Sequence, residues 1–444
     1  MFYGTSRINK YNHLEIGGCD TVELVKEFGT PLYVMDENHI RENCRSYTNS
    51  LRNMHENSEV IYAAKAFLTM EMCKLIQEEG LCLDVVSGGE LYLAIKSGFP
   101  AKRIYFHGNN KSYTELEMAV EYGVGRIVVD NFFELELLRD LTKKYQGKKI
   151  KILLRLTPGI EAHTHDYIKT GQLDSKFGFV MENGHAFMAV ENALSIKSLK
   201  LMGFHCHIGS QIFEEQPFKD TAEVMIQFAK NIKEKYGFKT KEVNFGGGFG
   251  IKYTEKDKPL TVKHYVTVLV ESVKESCKKH GLPIPKILIE PGRAIIGEAG
   301  TTLYTIGAIK NIPGVRKYVS VDGGMSDNIR PALYGAKYSA VVANKVNGSK
   351  KETVSIAGKC CESGDMLIWD IDLPKIAPGD ILAVFSTGAY HYSMASNYNM
   401  IPKPAVVFVK SKTARLVVRR QTYEDLLGNE VFLPHSKHIS LANF

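Results

Sequence analysis

A single lysine at the end of an apolar run is the first residue in this sequence that could do chemistry. Residues 60–67 read Val-Ile-Tyr-Ala-Ala-Lys-Ala-Phe, and Lys65 is the one charged residue among them. The run therefore predicts a β-strand that delivers Lys65 to the loop beyond it. Burial lowers the pKa of a lysine and makes its amine a nucleophile that forms a Schiff base with an aldehyde. Taken alone, Lys65 also fits an ordinary solvated lysine at a strand end.

A carboxylate and a guanidinium end a second apolar run. The segment Glu290-Pro291-Gly292-Arg293 directly follows the run Lys-Ile-Leu-Ile. Glu290 could pair with a ring nitrogen, and Arg293 could bind a phosphate or a carboxylate. The alternative interpretation is a plain ion pair between the two side chains.

A glycine cluster follows a third run, in the segment Asn-Phe-Gly-Gly-Gly-Phe-Gly at residues 244–250. Backbone without Cβ atoms can wrap a phosphate with its N–H groups. The cluster is not the dinucleotide-binding pattern, because Ile251 stands where the last glycine should, and it lacks the Gly-Lys-Ser/Thr of a Walker A loop. A tight turn without a ligand is an equally good interpretation.

Two histidines lie two residues apart in the segment His-Cys-His-Ile-Gly-Ser at residues 205–210. The spacing suggests a metal site, but side chains alternate in direction along a strand and no third ligand stands nearby in the sequence. We therefore predict no metal. We favour the imidazole face of His207 for stacking and the Ser210 hydroxyl for binding an anion.

Further polar clusters lie in the second half of the chain. Cys361 stands next to Glu362 in a predicted turn. Arg330 and Tyr334 could bind a carboxylate, and Tyr390 opens a loop dense in hydroxyls and amides. Ordinary explanations are a buried cysteine pair, a surface arginine before proline, and a Ser/Asn-rich turn. A ligand with an aldehyde, a basic ring nitrogen and a phosphate would use the whole set, and pyridoxal 5'-phosphate is that molecule.

The elements that must position these groups form a regular series. Eight strands alternate with helical patterns over residues 39–300, which predicts a (β/α)8 TIM barrel with its chemistry at the carboxyl ends of the strands. The polar groups at these ends are Lys65, Asp84, His107, Asp130, Arg155, His207, Gly246 to Gly248 and Glu290. Beyond residue 300, short strands with Pro/Gly turns predict an all-β domain, barrel-like or sandwich-like. We expect the N-terminal strand to join it, so that residues 1–38 plus 301–444 form the second domain.

Composition limits the possible partners. The chain has 444 residues, with 56 basic and 49 acidic side chains and a net charge of +7. Basic residues are not interleaved with aromatic ones as in a nucleic-acid groove, so we expect no nucleic acid. No stretch is apolar enough to cross a bilayer or to act as a leader, so we expect no membrane. The eight cysteines lack the spacing of a zinc site or disulfide scaffold and favour the reducing cytoplasm.

Eight motifs together carry a resemblance to a known family. They are Tyr62 to Ala66, Asp84 to Leu91, His205 to Gln211, Gly246 to Gly248, Glu290 to Arg293, Asn328 to Tyr334, Cys360 to Asp365 and Gly388 to Tyr390. Along nearly all its length the chain resembles the meso-diaminopimelate decarboxylases, within the fold-type III pyridoxal-phosphate decarboxylases. Ser326 and Asn328 differ from the residues that are more common at these positions in the family, but neither has a role assigned here. The resemblance implies decarboxylation of meso-2,6-diaminopimelate to L-lysine and CO2, the last step of lysine biosynthesis.

The same resemblance implies roles for individual residues. The cofactor-binding set is Lys65, Asp84, His207, Ser210, Gly247, Glu290, Pro291, Gly292, Arg293 and Tyr390, with Lys65 as the covalent anchor. The substrate-binding set is Arg293, Arg330, Tyr334, Glu362 and Tyr390. Cys361 joins Lys65 as a catalytic residue and supplies a proton, directly or through water. In this family Cys361 and Glu362 reach the site from the second subunit, which implies a homodimer with shared active sites.

Other activities on the same scaffold are the alternatives. An ornithine or lysine decarboxylase would not require the second carboxylate of the substrate. An amino-acid racemase would place an arginine, not Glu290, at the ring nitrogen. A non-catalytic pyridoxal-phosphate carrier would usually lack the β-domain. Residues 163–177 are either a lid over the site or an ordinary long loop.

Overall fold

The N-terminal residues build a small sheet and lend one strand to a larger one. The computed structural model describes residues 2–160 and 174–431. The first elements are β1 (Arg7–Ile8), β2 (Leu14–Ile16), β3 (Cys19–Asp20), α1 (Thr21–Phe28) and β4 (Leu32–Asp36). The Asp20 side chain accepts a hydrogen bond from the Val22 N–H and so caps α1. All five residues of β4 are buried, as expected of a central strand.

Eight parallel strands then close into a barrel. They are β5 (Ser58–Ala63), β6 (Cys82–Val85), β7 (Ile104–Phe106), β8 (Arg126–Val129), β9 (Ile150–Thr157), β11 (Leu199–His205), β12 (Glu242–Asn244) and β13 (Lys286–Ile289), and the short β10 (Phe179–Val180) pairs with the end of β9. The ring closes where Ile289 of β13 pairs with Val60 of β5. The predicted TIM barrel is confirmed.

Helices surround this barrel in the expected alternation. They are α2 (Glu37–Met54), α3 (Met70–Glu78), α4 (Gly88–Lys96), α5 (Tyr113–Tyr122), α6 (Phe132–Lys144), α7 (His185–Ser195), α8 (Gln216–Tyr236), α9 (Val262–Lys279) and the one-turn α10 (Arg293–Ile296). Side chains of Ser87, Ser112 and Asn131 accept hydrogen bonds from the first turns of α4, α5 and α6. These caps satisfy N–H groups that a helix start leaves without partners, so each helix begins shortly after its strand.

The barrel interior is a packed core and not a channel. One layer takes a single side chain from each of seven strands, namely Ile61, Cys82, Tyr105, Val128, Leu153, Met202 and Leu288. All seven are buried. Because this layer fills the centre, a ligand has room only above it, at the carboxyl ends of the strands.

The C-terminal residues form the expected β-domain. Its elements are β14 (Gly300–Ile312), β15 (Arg316–Val321), α11 (Arg330–Tyr334), β16 (Ala340–Val342), β17 (Lys350–Ala357), β18 (Met366–Pro374), β19 (Ile381–Phe385), β20 (Ala405–Lys410), β21 (Thr413–Val418) and α12 (Tyr423–Leu426). The main strand order is β18-β17-β15-β14-β4-β20-β21, and β19 pairs with β14 and β16. The N-terminal strand therefore joins this sheet, as predicted. The proposed division at residues 38/39 and 300/301 stays a prediction.

Charged side chains tie the two regions together around Glu37, the first residue of α2. Its carboxylate lies 2.9 Å from Arg41 on the same helix, and 3.0 Å from Lys410 and 2.7 Å from Arg415 of the β-domain. Burial opposes ionisation of Glu37, but hydrogen bonds from these three cations lower its pKa to about 2. Among the described helices, none has the length and apolar character to span a bilayer.

Candidate active site

A cavity of about 280 Å³ opens at the carboxyl ends of the barrel strands. Its lining contains every residue of the predicted cofactor-binding set: Lys65, Asp84, His207, Ser210, Gly247, Glu290, Pro291, Gly292, Arg293 and Tyr390. These residues come from five different strand ends and one loop of the β-domain. The structure thus brings the predicted set together, while the role of each member stays a prediction.

Lys65 lies just beyond β5, in a single turn of 3-10 helix at Ala64–Ala66. Its two neighbours are buried, but the Lys65 side chain is exposed where it lines the cavity. Exposure leaves the amine accessible to a ligand entering the cavity.

Glu290 is a buried carboxylate held on both oxygens. Its Oε1 lies 2.9 Å from His107 Nε2 and accepts a hydrogen bond from Asn244 Nδ2 at 2.6 Å. Its Oε2 lies 3.1 Å from His205 Nε2. Burial raises the pKa of a carboxyl group, but the two histidines outweigh it and hold the pKa of Glu290 well below its ordinary value. Glu290 is therefore ionised at neutral pH.

The pKa values of the two histidines beside Glu290 shift in opposite directions. Burial lowers the pKa of both, but Asp84 and Glu290 together raise the pKa of His107 above its ordinary value. His205 lies farther from Asp84, and its pKa falls to about 4. A neutral His205 must carry its proton on Nε2 to donate to Glu290, which leaves Nδ1 as an acceptor. No local pattern in the sequence predicts this arrangement, since the three residues lie at the ends of β7, β11 and β13.

A group of three possible metal ligands forms in space around His205, but it does not include His207. Ligand atoms of His107, His205 and Glu290 all lie within 4.8 Å of one another. Their separations of 2.9 and 3.1 Å are, however, hydrogen-bond distances between imidazole nitrogens and carboxylate oxygens. His205 and Asn244 form hydrogen bonds with Glu290, and His107 forms an ion-pair contact with it.

His207 presents a neutral ring to the cavity. Its Nδ1 accepts a hydrogen bond from the Gly247 N–H at 3.2 Å. Burial and the nearby charge of Lys65 lower the pKa of His207 well below its ordinary value. A neutral, half-buried imidazole suits the predicted stacking role. The Gly247 N–H is engaged with this ring and not with the cavity.

The glycine cluster is crowded as well as open to the cavity. Gly246 adopts φ +65° and Gly248 φ +103°, a region that favours glycine. A Cβ on Gly247 would lie 2.2 Å from the backbone oxygen of Glu290. The ends of β12 and β13 therefore lie too close together for any residue but glycine at position 247, whether or not the loop binds a ligand.

Two arginines meet at a tyrosine that the sequence did not single out. Arg293 donates to the Ser210 hydroxyl at 2.9 Å and to the Tyr253 hydroxyl, and Arg330 donates to the same Tyr253 oxygen at 2.8 Å. The alternative Glu290–Arg293 ion pair is absent from the described part of the chain. Tyr390 packs against this pair, with its ring centroid 4.9 Å from the Arg293 guanidinium. The one sign of Tyr253 in the sequence was its position shortly after the glycine cluster of residues 244–250.

The remaining predicted residues lie outside the cavity lining of a single chain. Arg330 and Tyr334 stand on α11, and the Arg330 guanidinium lies 5.7 Å from the Tyr334 ring. Cys361 and Glu362 are exposed in the turn between β17 and β18. The Cys361 N–H donates to Asn399 Oδ1 at 2.7 Å. The structure therefore does not bring Cys361 or Glu362 to this chain's own cavity.

The segment considered as a lid is only partly described. Residues 163–173 of the interval 163–177 lie outside the described residues. Phe177, at its end, lines the cavity, and the Arg155 guanidinium lies 4.1 Å from its ring centroid.

Comparisons with known proteins agree on one family. Residues 37–297 match the family described as "Pyridoxal-dependent decarboxylase, pyridoxal binding domain". The chain is 57% identical over 427 residues to the diaminopimelate decarboxylase of Bacillus subtilis, covering 96% of this chain and 97% of that one. It is 56% identical over 420 residues to that of Bacillus methanolicus, covering 95% and 97%. The solved diaminopimelate decarboxylase of M. jannaschii, in complex with L-lysine, has a TM-score of 0.92 at 36% identity and covers 98% of this chain and 100% of that one.

Proposed function

This chain belongs to the diaminopimelate decarboxylases of the pyridoxal-dependent decarboxylase family, and we propose that its cavity decarboxylates meso-2,6-diaminopimelate to L-lysine and CO2. One observation carries the proposal. A primary amine from the end of β5, and an ionised buried carboxylate and a buried guanidinium from the end of β13, converge on a single cavity. These are the groups that an aldehyde, a pyridine nitrogen and an anionic phosphate or carboxylate require.

The residues present fit pyridoxal 5'-phosphate. Lys65 offers an accessible amine to its aldehyde, and ionised Glu290 suits its ring nitrogen. Ser210, Gly247, the backbone of Gly292 and Arg293, and Tyr390 would hold the phosphate end. When bound, this cofactor supplies an electron sink for the electron pair that CO2 leaves behind.

Glu290 would act through its charge. Two imidazoles and one amide fix the orientation of its carboxylate. A carboxylate so placed keeps a nearby ring nitrogen protonated, because separating the two charges in a buried site costs free energy. His107 and His205 therefore serve the reaction by holding Glu290 in place.

The substrate carries an amino-acid group at each end, so selection needs charges at both ends of the site. Arg293, Arg330 and Tyr334 would bind the carboxylate that is retained, and Glu362 would bind the distal ammonium. Cys361 would return a proton to the carbon that loses CO2. Because Cys361 and Glu362 are exposed outside this chain's cavity, we assign them to the cavity of a second copy in a homodimer.

Free thiols favour a cytoplasmic location for this enzyme. All eight cysteines are free, and Cys361 is the exposed one. An exposed catalytic thiol needs a reducing compartment to stay active.

Release of CO2 from three substrates tests the proposed function. Purified protein loaded with cofactor should act on meso-diaminopimelate and leave L-lysine and L-ornithine nearly untouched, because both lack the second carboxylate. Preference for either monocarboxylate would contradict the assignment. The Lys65→Ala variant should lose the visible absorbance of the lysine-bound cofactor, and an unchanged spectrum would exclude Lys65 as the anchor.

A further inference from the structure

Arg293 and Arg330 are two buried cations that share one phenol. Both donate to the hydroxyl oxygen of Tyr253, which is itself buried. The Tyr253 ring also lies under both guanidiniums, with centroid distances of 5.7 and 5.3 Å. Tyr253 therefore contacts each arginine through its hydroxyl and through its ring face.

Neither arginine has a carboxylate partner within residues 2–160 and 174–431. The hydrogen-bond partners of Arg293 are the hydroxyls of Ser210 and Tyr253, and that of Arg330 is Tyr253. The Nε atoms of both guanidiniums are buried without a hydrogen-bond partner in this part of the chain. Burying two cations without an anion is costly, so the site is built to receive one.

The phenol responds to this positive surrounding. Burial raises the pKa of Tyr253, but the guanidiniums of Arg293 and Arg330 outweigh it and lower the pKa below its ordinary value. The Tyr253 oxygen accepts hydrogen bonds from both guanidiniums and so lies between two like charges. Each guanidinium has five N–H donors and spends one on Tyr253, so donors remain for a ligand.

We propose that Tyr253 is a positioning residue that holds Arg293 and Arg330 together as one receptor for the carboxylate that the substrate retains. This inference rests on the proposed function. Tyr253 would affect the affinity for the substrate and not the rate of CO2 loss, because it contacts the arginines and not the reacting atoms.

A neighbouring tyrosine provides a matched control. The Tyr338 ring packs edge-on against Tyr253 with a centroid distance of 5.4 Å, and Tyr338 is also buried. Its hydroxyl has no hydrogen-bond partner among the described residues. Tyr253→Phe and Tyr338→Phe each remove one buried hydroxyl, but only the first removes hydrogen bonds to the arginines.

Steady-state kinetics of the two variants test the inference. Tyr253→Phe should raise KM for meso-diaminopimelate by about tenfold with kcat within about twofold, because a charge-assisted contact that aids binding is lost. Tyr338→Phe should change both constants by less than about twofold. An unchanged KM in Tyr253→Phe, or a fall in kcat alone, would overturn the proposal.

Product inhibition separates positioning from general damage. L-lysine carries the retained carboxylate, whereas 1,5-diaminopentane lacks it. Tyr253→Phe should weaken inhibition by L-lysine by about the same tenfold factor and leave inhibition by the diamine unchanged. Equal weakening of both inhibitors would overturn the proposal. A wild-type enzyme that releases no CO2 from meso-diaminopimelate would instead refute the proposed function.

Discussion

Glu290 owes its ionised state to residues that are distant in sequence. His107 and His205 contact its two oxygens from β7 and β11, and Asn244 contacts it from β12. A buried carboxyl without these donors would bind a proton. The electron-withdrawing power of a bound cofactor therefore depends on three side chains that the substrate never touches.

Replacing Glu290 by glutamine tests this dependence. Glu290→Gln should retain the cofactor but lower kcat by about 10²-fold, since a fixed charge that stabilises the transition state is lost. Single-turnover CO2 release and the cofactor absorbance measure the two effects separately.

Glu242 offers the matching control. It is a buried glutamate at the start of β12, at the opposite end of the barrel, and pairs with Arg126. Glu242→Gln should lower the unfolding temperature and keep kcat within about twofold of wild type. Comparable losses of kcat in the two variants would mean that the effect of Glu290→Gln on kcat is not specific to Glu290.

Asp327 predicts a pH-dependent stability. It is buried in the loop before α11, where it accepts hydrogen bonds from the Tyr304 hydroxyl and the Gly324 N–H. Burial raises its pKa to about 7. The folded state thus binds the proton more tightly than the unfolded state, and wild-type stability declines as pH rises from the ordinary value of 3.8 through about 7.

Asp327→Asn should remove that decline, because asparagine mimics the protonated acid. The unfolding temperature of the variant relative to wild type should rise between about pH 5 and about pH 8. The exposed Asp372→Asn should show no such trend. A constant difference for Asp327→Asn across this range would contradict the raised pKa.

The sequence predicted the functional residues at strand ends, but it did not predict Tyr253, which links two predicted arginines in space. Lys65, Glu290 and the glycine cluster stand out because each interrupts an apolar run. The contacts of Tyr253 depend on α10 and α11, which meet it from 40 and 77 residues away. No local pattern encodes such a meeting, and the exposure of Lys65 depends in the same way on the surrounding loops.

Among the elements, the glycine loop after β12 is held by steric crowding. Gly247→Ala would place its Cβ against the backbone of Glu290, so the two strand ends must separate. We expect a loss of about 1–3 kcal/mol in unfolding free energy. Cofactor affinity should fall with it, because Glu290 moves. Thermal unfolding and cofactor titration measure both quantities.

Gly89 in α4 is the comparison position for that loop. Apart from the backbone of its own helix, a Cβ there would meet Ser87 Oγ first, at an ordinary 3.8 Å. Gly89→Ala should raise stability by about 0.5–1 kcal/mol, since glycine weakens a helix. If both alanine variants behaved alike, crowding at Gly247 would not be the cause.

The barrel strands were predictable because each is a short, nearly continuous apolar run. In the β-domain, β18 and β21 were not identified. β18 carries two aspartates, and β21 is a mostly exposed edge strand that contains Arg415. The helix α11 is five residues long, too short for a periodic pattern. Strands with one buried face or one neighbour leave a weaker trace in the sequence than strands buried on both sides.

For the whole molecule, the proposed sharing of active sites between two chains predicts complementation between inactive variants. Lys65→Ala and Cys361→Ala should each be nearly inactive as homodimers. Subunits mixed at equal amounts and allowed to exchange should regain about a quarter of wild-type activity, because half of the dimers then hold one intact site of two. CO2 release measures the recovery.

The same mixing experiment has a clear negative outcome. No recovery despite proven subunit exchange would mean that Cys361 serves its own chain. A mixture of Lys65→Ala with Glu290→Gln provides the control, since both residues line one cavity. Because Lys65 and Glu290 come from the same chain, each site of a mixed dimer lacks one of them. No recovery is therefore expected in this mixture.

Lys65 and Glu290 follow β5 and β13, the first and last strands of the barrel, which pair with each other to close the ring. During synthesis on the ribosome, the anchor emerges long before the carboxylate that completes its surroundings. A nascent chain that stops before β13 offers pyridoxal 5'-phosphate the Lys65 amine without the Glu290 carboxylate. The site can therefore be complete only after the last barrel strand has left the exit tunnel and paired with the first.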